Sequence, residues 1–317
     1  MFGSTAASAY LAGGTTLIDL VKLDVLRPAA LVDLNRAGLA QIEATGDGGV
    51  KIGALVRNSD LARHASVRSN YPVLAEAILS GASPQLRNMA TTGGNLMQRT
   101  RCSYYRDGIS SCNKRQPGTG CAALHGYHRS HAILGVSDDC IATHPSDLCV
   151  AMAALEAHIT LESKGGTRTV AFADFHLLPG ATPEKEHDLA PGELITAVTL
   201  PPLPSGTRSW YLKLRDRESF EFALASAAVV LRLQGERIEE CKVALGGVAT
   251  KPWRALEAEA ILRGAPATEP TFRRAAEAAL QSARPRSDNA FKVELARRVL
   301  CRVLTTLAGS QPPVRQI

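Results

Sequence analysis

ATTGGNL at residues 90–96 and HPSD at residues 144–147 decide the reading of this chain, because each is a turn suited to bringing polar groups against a ligand. Between them lie Cys102, Cys112, Cys121 and Cys140, separated by nine, eight and eighteen residues in a run crowded with Gly, Asn, Arg and His. Such a run buries too little apolar surface to order itself, so it calls for a ligand. Two polar turns flanking four thiols suggest two redox groups in one fold.

A third stretch works with these. LAGGTTL at residues 11–17 sets adjacent glycines and two threonines ahead of a helical run. Glycine lets the backbone approach a pyrophosphate closely, and amides at a helix start donate to its oxygens. Alone, this is equally a tight strand-to-helix turn. ATTGGNL repeats the device with Asn95, whose side chain both donates and accepts, and HPSD adds Asp147, able to accept from a ribose or adenine edge. Together the three make a dinucleotide cradle. Gly46, Gly48, Gly49 and Gly53 miss the G-x-G-x-x-G spacing, which disfavours a Rossmann-type site.

Outward from the turns the pattern is α+β. It predicts a strand at 50–52, a helix capped near 58–60 and a helix over 71–79 ending at Gly81. A helix over 147–155 and strands at 158–161, 168–171 and 194–200 follow. PPLPSG at 201–206 reads as a domain boundary. Beyond it come strands at 210–214, 227–233 and 241–245, then helices at 255–262, 269–283 and 289–307. Phe291, Leu295, Val299 and Val303 recur at four-residue spacing and predict one buried helix face.

The chain has 317 residues, 45% of them hydrophobic, long enough for two domains with separate cores. No apolar run is long enough to span a bilayer. The net charge of +6 permits an acidic partner, but the basic residues are dispersed without interleaved aromatics, which argues against nucleic acid. Arg99, Arg101, Arg106, Lys114 and Arg115 crowd the cysteine run, where thiolates around a metal centre would concentrate negative charge. Seven cysteines, an odd count, argue against a disulfide scaffold. Cys149, Cys241 and Cys301 read as small buried hydrophobes. MFGSTAASAYLAGG lacks Lys or Arg before its apolar part, so it does not read as an export signal.

In order along the chain, AGGTTL (12–17), LRNMATTGGNL (86–96), HPSD (144–147), GELITAVTLP (192–201), WYLKLRDRESFEFALAS (210–226) and ALGGVATKPWRALEAE (244–259) resemble the FAD-binding subunit of the molybdenum hydroxylases. The cysteine insertion narrows the resemblance to the bacterial three-subunit aldehyde oxidoreductases. It implies a two-subdomain FAD-binding fold of the vanillyl-alcohol-oxidase (PCMH) type over residues 1–202, holding an iron–sulfur loop at 100–142. A C-terminal domain of antiparallel sheet plus helix bundle follows over 205–311. Relatives carry a further strand and helix before AGGT, so the first subdomain is expected to be shortened.

By the same resemblance Ala9, Tyr10, Leu11, Ala12, Gly13, Gly14, Thr15, Thr16 and Leu17 wrap the FAD pyrophosphate. Thr91, Gly94 and Asn95 add phosphate or ribose contacts, and Ser146 and Asp147 form a later FAD-binding turn. Ile195 and Lys213 are expected beside the isoalloxazine, where a cation stabilises the anionic reduced ring; the plain alternatives are core packing for Ile195 and a surface lysine for Lys213. Cys102, Cys112, Cys121 and Cys140 are expected to ligate a 4Fe–4S cluster. Thiolates also suit zinc, although this loop lacks the closely spaced Cys pairs of structural zinc sites. His125, His128, His131 and His144 are alternative ligands, or loop and surface histidines.

The resemblance implies an electron-transfer subunit with no catalytic acid or base of its own. Its partners are a large molybdopterin subunit, a small 2Fe–2S subunit and an external acceptor. Co-export with a signal-bearing partner would place it in the periplasm; otherwise it is cytoplasmic. The rival readings are a stand-alone flavin oxidase or reductase, and a non-catalytic assembly subunit with a zinc loop.

Overall fold

A computed structural model describes residues 8–309. The first seven residues of the expected first domain, and residues 310 and 311 of the second, lie outside them.

The first part opens with strand β1 (Ser8–Leu11), helix α1 (Leu17–Lys22) and strand β2 (Ala30–Asp33). β1 and β2 pair in parallel as a small two-stranded sheet, and α1 makes the connection between them. Then come β3 (Ile42–Ala44), β4 (Val50–Gly53), and the helices α2 (Asn58–Arg63), α3 (Ala65–Asn70), α4 (Pro72–Ser80), α5 (Pro84–Met89) and α6 (Thr92–Leu96). Proline at the first turn of α4 and of α5 starts a helix without wasting a donor. The cysteine run is mostly irregular, with α7 (Ser103–Arg106) and a 3-10 turn at Ala122–Leu124.

After it follow α8 (Asp147–Ala154), β5 (His158–Ser163), β6 (Gly166–Ala171), α9 (Phe172–Phe175) and β7 (Leu194–Leu200). The second sheet runs β3-β4-β7-β5-β6, antiparallel throughout. β7 lies at its centre, and ITAV at 195–198 is buried residue after residue. α8 is buried along its whole length, which is why its sequence DLCVAMAA shows no polar face.

Beyond the proline-rich link, β8 (Arg208–Leu214), β9 (Ala225–Gln234), β10 (Arg237–Gly246) and β11 (Trp253–Arg254) form a sheet in the order β11-β10-β9-β8. α4 and α8 pack on this sheet, and so do α10 (Leu256–Leu262) and α12 (Phe291–Ala308), with α11 (Glu269–Ala278) against the last two. One core therefore spans the first part and reaches Tyr211, Ala228, Val230 and Ala244, while a second core lies under the C-terminal helices.

α2 starts at Asn58 with Arg57 as its cap, next to the expected 58–60. Two expectations are corrected here. α11 ends at Ala278, short of 283. On α12 the buried residues include Ala296, Val299, Leu300, Val303, Leu304 and Leu307, while Phe291 is 39% exposed. A strict four-residue step advances about 400° at 100° per residue, so the expected stripe drifts off the buried face.

Candidate functional site

The LAGGTTL turn leaves β1 and enters α1. Gly14 has φ +75°, and a Cβ on Gly13 would stand 2.0 Å from the Met89 carbonyl oxygen. Both positions thus need glycine, one for conformation and one for close approach to the chain between α5 and α6. Arg57 braces the turn from behind, donating to Met89 O and, at 3.0 Å, to Asn35 Oδ1, while Asn35 Nδ2 donates to Ala12 O at 3.1 Å. Among the described residues, the amides of Gly14, Thr15 and Thr16 and the hydroxyls of the two threonines make no hydrogen bond. Unpaired donors on a rigid turn before a helix are the means of holding a phosphate.

ATTGGNL is itself the start of a short helix. Thr91 caps it, accepting from Gly94 N at 3.2 Å. Thr92 N donates to Val56 O, Gly93 N to Ala54 O and Asn95 N to Thr91 O. Its first amides are therefore spent inside the protein, contrary to the expectation that both loops offer open amides. What it contributes is shape: Gly93 packs against Ala54, where a Cβ would come within 3.0 Å.

The two turns face each other across a trough with two lobes. The narrower, of about 790 Å³, is lined by Tyr10, residues 12–17, Leu34, Leu39, Thr91, Gly94, Met97 and Ile195, among others. The wider, of about 1360 Å³, takes in Asn95, Arg101, Asp147, Lys213, Phe220 and Phe222. Thr15, Thr16 and Gly94 line both and form the waist. A dinucleotide has this outline, with a pyrophosphate at the waist and a ring system at each end.

Ile195 and Lys213, both expected at one ring, line different lobes. Ala9, Leu11 and Ser146 line neither. Ser146 acts from behind, its Oγ donating to Asn95 Oδ1 at 2.5 Å and accepting from Cys149 N at 3.0 Å as the cap of α8. Lys213 is no surface lysine: it is 8% exposed, and Nζ donates to Asp147 Oδ2 at 2.7 Å and to Ser80 O at 3.1 Å. The Tyr211 hydroxyl donates to Asp147 Oδ1 at 2.5 Å. Burial and the neighbouring carboxylate push that phenol's pKa well up, so it stays protonated. Asp147 is thus held by two protein donors rather than left free to accept from a ligand. Arg101, Arg217, Phe220 and Phe222 also reach the wider lobe, and no glycine or acidic signal marked them in the sequence.

In the cysteine run, Cys112 and Cys121 face each other across an isolated antiparallel bridge. Asn113 donates to the Asp139 carbonyl at 3.2 Å and ties this bridge to the segment holding Cys140. Burial pushes the Cys102 thiol up to about 12 and raises those of Cys121 and Cys140, each with further upward pressure from other thiols of the four. Backbone N–H groups of Tyr104 and Tyr105 point at Cys102, those of Ala123, Leu124 and Ile141 at Cys121, and that of Ala142 at Cys140. Buried and half-buried sulfurs that accept from backbone amides fit thiolate ligands of a cationic centre. Among the described residues no three of these thiols come within 4.8 Å of one another. A single zinc ion needs sulfur atoms roughly 3.8 Å apart, closer than any three of these thiols come among the described residues.

Cations and histidines both crowd this loop. Its cations are already matched: Arg99 and Lys114 bind Glu186, and Arg101 and Arg106 each reach Asp19 Oδ2 at 2.8 Å. His128 and His131 are buried, and His131 Nε2 lies 3.1 Å from Cys102 Sγ. Long-range contacts bury them, which local composition does not encode. A cavity of about 820 Å³ shares Arg101, Asp147 and Phe222 with the wider lobe and extends to Cys102 and His131.

Residues 1–203 match the family described as the FAD binding domain in molybdopterin dehydrogenase, and residues 210–307 match the CO dehydrogenase flavoprotein C-terminal domain. The chain belongs to the FAD-binding subunits of the molybdenum hydroxylases. It is 53% identical over 297 residues to the aldehyde oxidoreductase FAD-binding subunit PaoB of Escherichia coli K12, covering 93% of this chain and 90% of that one. The glyceraldehyde dehydrogenase medium chain of Sulfolobus acidocaldarius is 33% identical, over 78% of this chain and 71% of its own length. Among solved structures, carbon monoxide dehydrogenase from Hydrogenophaga pseudoflava superposes with a TM-score of 0.74 at 29% identity, covering 96% of this chain and 89% of that one. This FAD-binding family member is therefore an oxidoreductase subunit with the two-part fold of the carbon monoxide dehydrogenase medium chain.

Proposed function

We propose that the chain is the FAD- and 4Fe–4S-bearing electron-transfer subunit of a molybdenum-dependent aldehyde oxidoreductase. The observation that carries this reading is the waist of the trough. The open amides of Gly14, Thr15 and Thr16 would take the pyrophosphate, with Gly94 across from them. The adenine would lie in the narrower lobe against Tyr10, Leu34, Leu39 and Ile195. The isoalloxazine would lie in the wider lobe, near Lys213, Phe220 and Phe222.

Bound FAD would supply the exchange between paired and single electrons that a relay requires. The chain's own residues position and insulate. Lys213 lines the wider lobe, Asp147 and through it Tyr211 hold its ammonium in place, and Phe220 and Phe222 line the same lobe. Cys102, Cys112, Cys121 and Cys140 would hold the cluster. The cavity from the wider lobe to Cys102 supports nearness of the two groups.

The aldehyde substrate class rests on the identity to the E. coli subunit. The same likeness supports large and small partner subunits; the proposal adds molybdopterin on the large one, 2Fe–2S clusters on the small one, an external acceptor, and co-export to the periplasm with a signal-bearing partner. The test is anaerobic purification with partners left attached. Stoichiometric flavin, iron and sulfide, together with a molybdenum-containing partner, are expected. A colourless, iron-free chain or one containing only zinc would overturn the reading, as would aldehyde turnover by the isolated chain. Reoxidation of the reduced complex by oxygen, quinone or a carrier protein would then identify the acceptor.

A further inference from the structure

Between the cysteine run and the trough lies a third group of ligating side chains that neither site uses. His144, Cys149 and His176 bring one ligand atom each within 4.8 Å of the other two. They come from three places: the HPSD turn, the interior of α8 and the residue after α9. Cys149 is fully buried and His176 is 2% exposed. The two imidazoles meet edge to face, centroids 4.7 Å apart.

Aromatic packing accounts for the rings but not for their nitrogens. His144 Nε2 and His176 Nδ1 are buried without a hydrogen-bond partner, and buried polar atoms are normally satisfied. His176 Nε2 faces the Leu96 carbonyl oxygen at 3.1 Å, so the proton belongs there and Nδ1 carries the lone pair. A carbonyl fixing the far nitrogen of an imidazole is the usual support of a metal-binding histidine. With His144 Nε2 as a ligand, the long 3.4 Å approach of Ser146 N to Nδ1 gives way to a proton on Nδ1.

The geometry points to a metal-ion site formed by His144, His176 and Cys149, taking Zn²⁺ or a similar borderline-soft ion. Two imidazoles and one thiolate are a donor set for such ions. The tetrahedral distances place ligand atoms roughly 3.5 Å apart, a contraction within reach of small side-chain rotations. A fourth position opens on a small cavity that His144, His176 and His187 share with Cys140. Water or His187, whose ring centroid is 5.4 Å from that of His176, would fill it. Burial, with neighbouring histidines adding to it, keeps the His144 pKa down at about 3 and that of His176 well below its ordinary value, so both are neutral ligands at neutral pH. An ion here would clamp together the HPSD turn, α8 and α9. The inference does not depend on FAD or iron being present.

The test uses the full chain with any bound partners, purified without chelator, in three measurements. Metal analysis should find zinc in addition to any iron, about one ion per chain. X-ray absorption at the zinc edge should fit a shell of nitrogens with one sulfur. Cobalt loaded in place of zinc should give a sulfur-to-cobalt charge-transfer band that survives Cys112→Ser but disappears in Cys149→Ala and His176→Gln. The site is refuted if neither zinc nor cobalt binds, if the shell is all sulfur, or if the band follows Cys112 instead of Cys149. Should the Cys149 and His176 variants fail to fold, the absorption spectrum of the unaltered chain decides alone. Because none of the three readouts involves flavin or activity, failure here leaves the electron-transfer reading intact.

Discussion

Lys213 Nζ lies 2.7 Å from Asp147 Oδ2, joining the β8 strand of the C-terminal sheet to the first residue of α8. The side chains are 3% and 9% exposed, so neither charge is solvated. Removing one partner of such a buried pair costs about 3–5 kcal/mol, because the other is left uncompensated. Lys213→Met is expected to lower both the melting temperature and FAD occupancy. Adding Asp147→Asn should restore much of the stability but little of the occupancy, since the positive charge at the wider lobe stays lost. Flavin-to-protein ratios and melting curves for the single and double variants check this. Unchanged values for Lys213→Met would mean that the pair couples to nothing.

Gly13→Ala drives a methyl into the Met89 carbonyl oxygen, where both sides are backbone and cannot rotate away. Overpacking of this kind costs about 1–3 kcal/mol, concentrated on the turn that offers the open amides. The expected result is a folded chain purified with little flavin. Gly48→Ala is the control. Gly48 has φ +90° but meets nothing closer than Pro202 Cβ at 3.9 Å, so it should lose about 1 kcal/mol and keep its flavin. Equal flavin loss in both variants would make the effect general destabilisation.

Glu186 sets a pH dependence. Burial raises the pKa of its carboxyl, but Arg99 and then Lys114 outweigh this and bring it down to about 2, from 4.5 in the unfolded chain. A carboxylate depressed by folding adds stability that is complete above pH 4.5 and is lost as pH falls toward 2. The shift corresponds to about 3 kcal/mol. Glu186→Gln should lower stability at neutral pH, because Arg99 and Lys114 lose their counter-charge, and should flatten the acid limb of the profile. A variant whose melting temperature follows pH as steeply as the parent contradicts this account.

The sequence was most legible where one local signal carries the structure. Strand β7, the helix stop at Gly81, the start of α8 at Asp147 and the turn at Gly13 and Gly14 all follow from glycine, capping chemistry and β-branched runs. Strand β2 was illegible because all four of its residues are exposed, which leaves no alternation to read. The amides of Thr92 and Gly93 looked available because their acceptors Val56 and Ala54 lie far back in the chain. The same holds for the loop cations, whose partners Asp19 and Glu186 stand outside the loop. Lys213 and His131 are polar residues whose burial depends on tertiary contacts alone. A dinucleotide motif names the ligand, while the division of the trough into lobes depends on which strands and helices meet there.

The cysteine loop gives the last expectation. Asp19, on the helix that follows the glycine turn, binds Arg101 and Arg106 on either side of Cys102. Leu20 packs with Tyr105 and Cys112 in a small cluster of their own. The loop therefore supports α1, and through it the turn with the open amides. On the proposed cluster reading, Cys121→Ser would replace a soft ligand by a hard one without changing side-chain size greatly, so it should cost iron and sulfide before it disturbs packing. Loosening should follow, read as faster proteolysis near Ile109, which is 91% exposed, and as partial flavin loss. Asp19→Asn separates the two effects, because it cuts the link and leaves all four thiols. It should keep its iron while holding flavin less tightly. Iron content unchanged in Cys121→Ser would remove that thiol from the ligand set, and unchanged flavin in Asp19→Asn would show that loop and turn are independent.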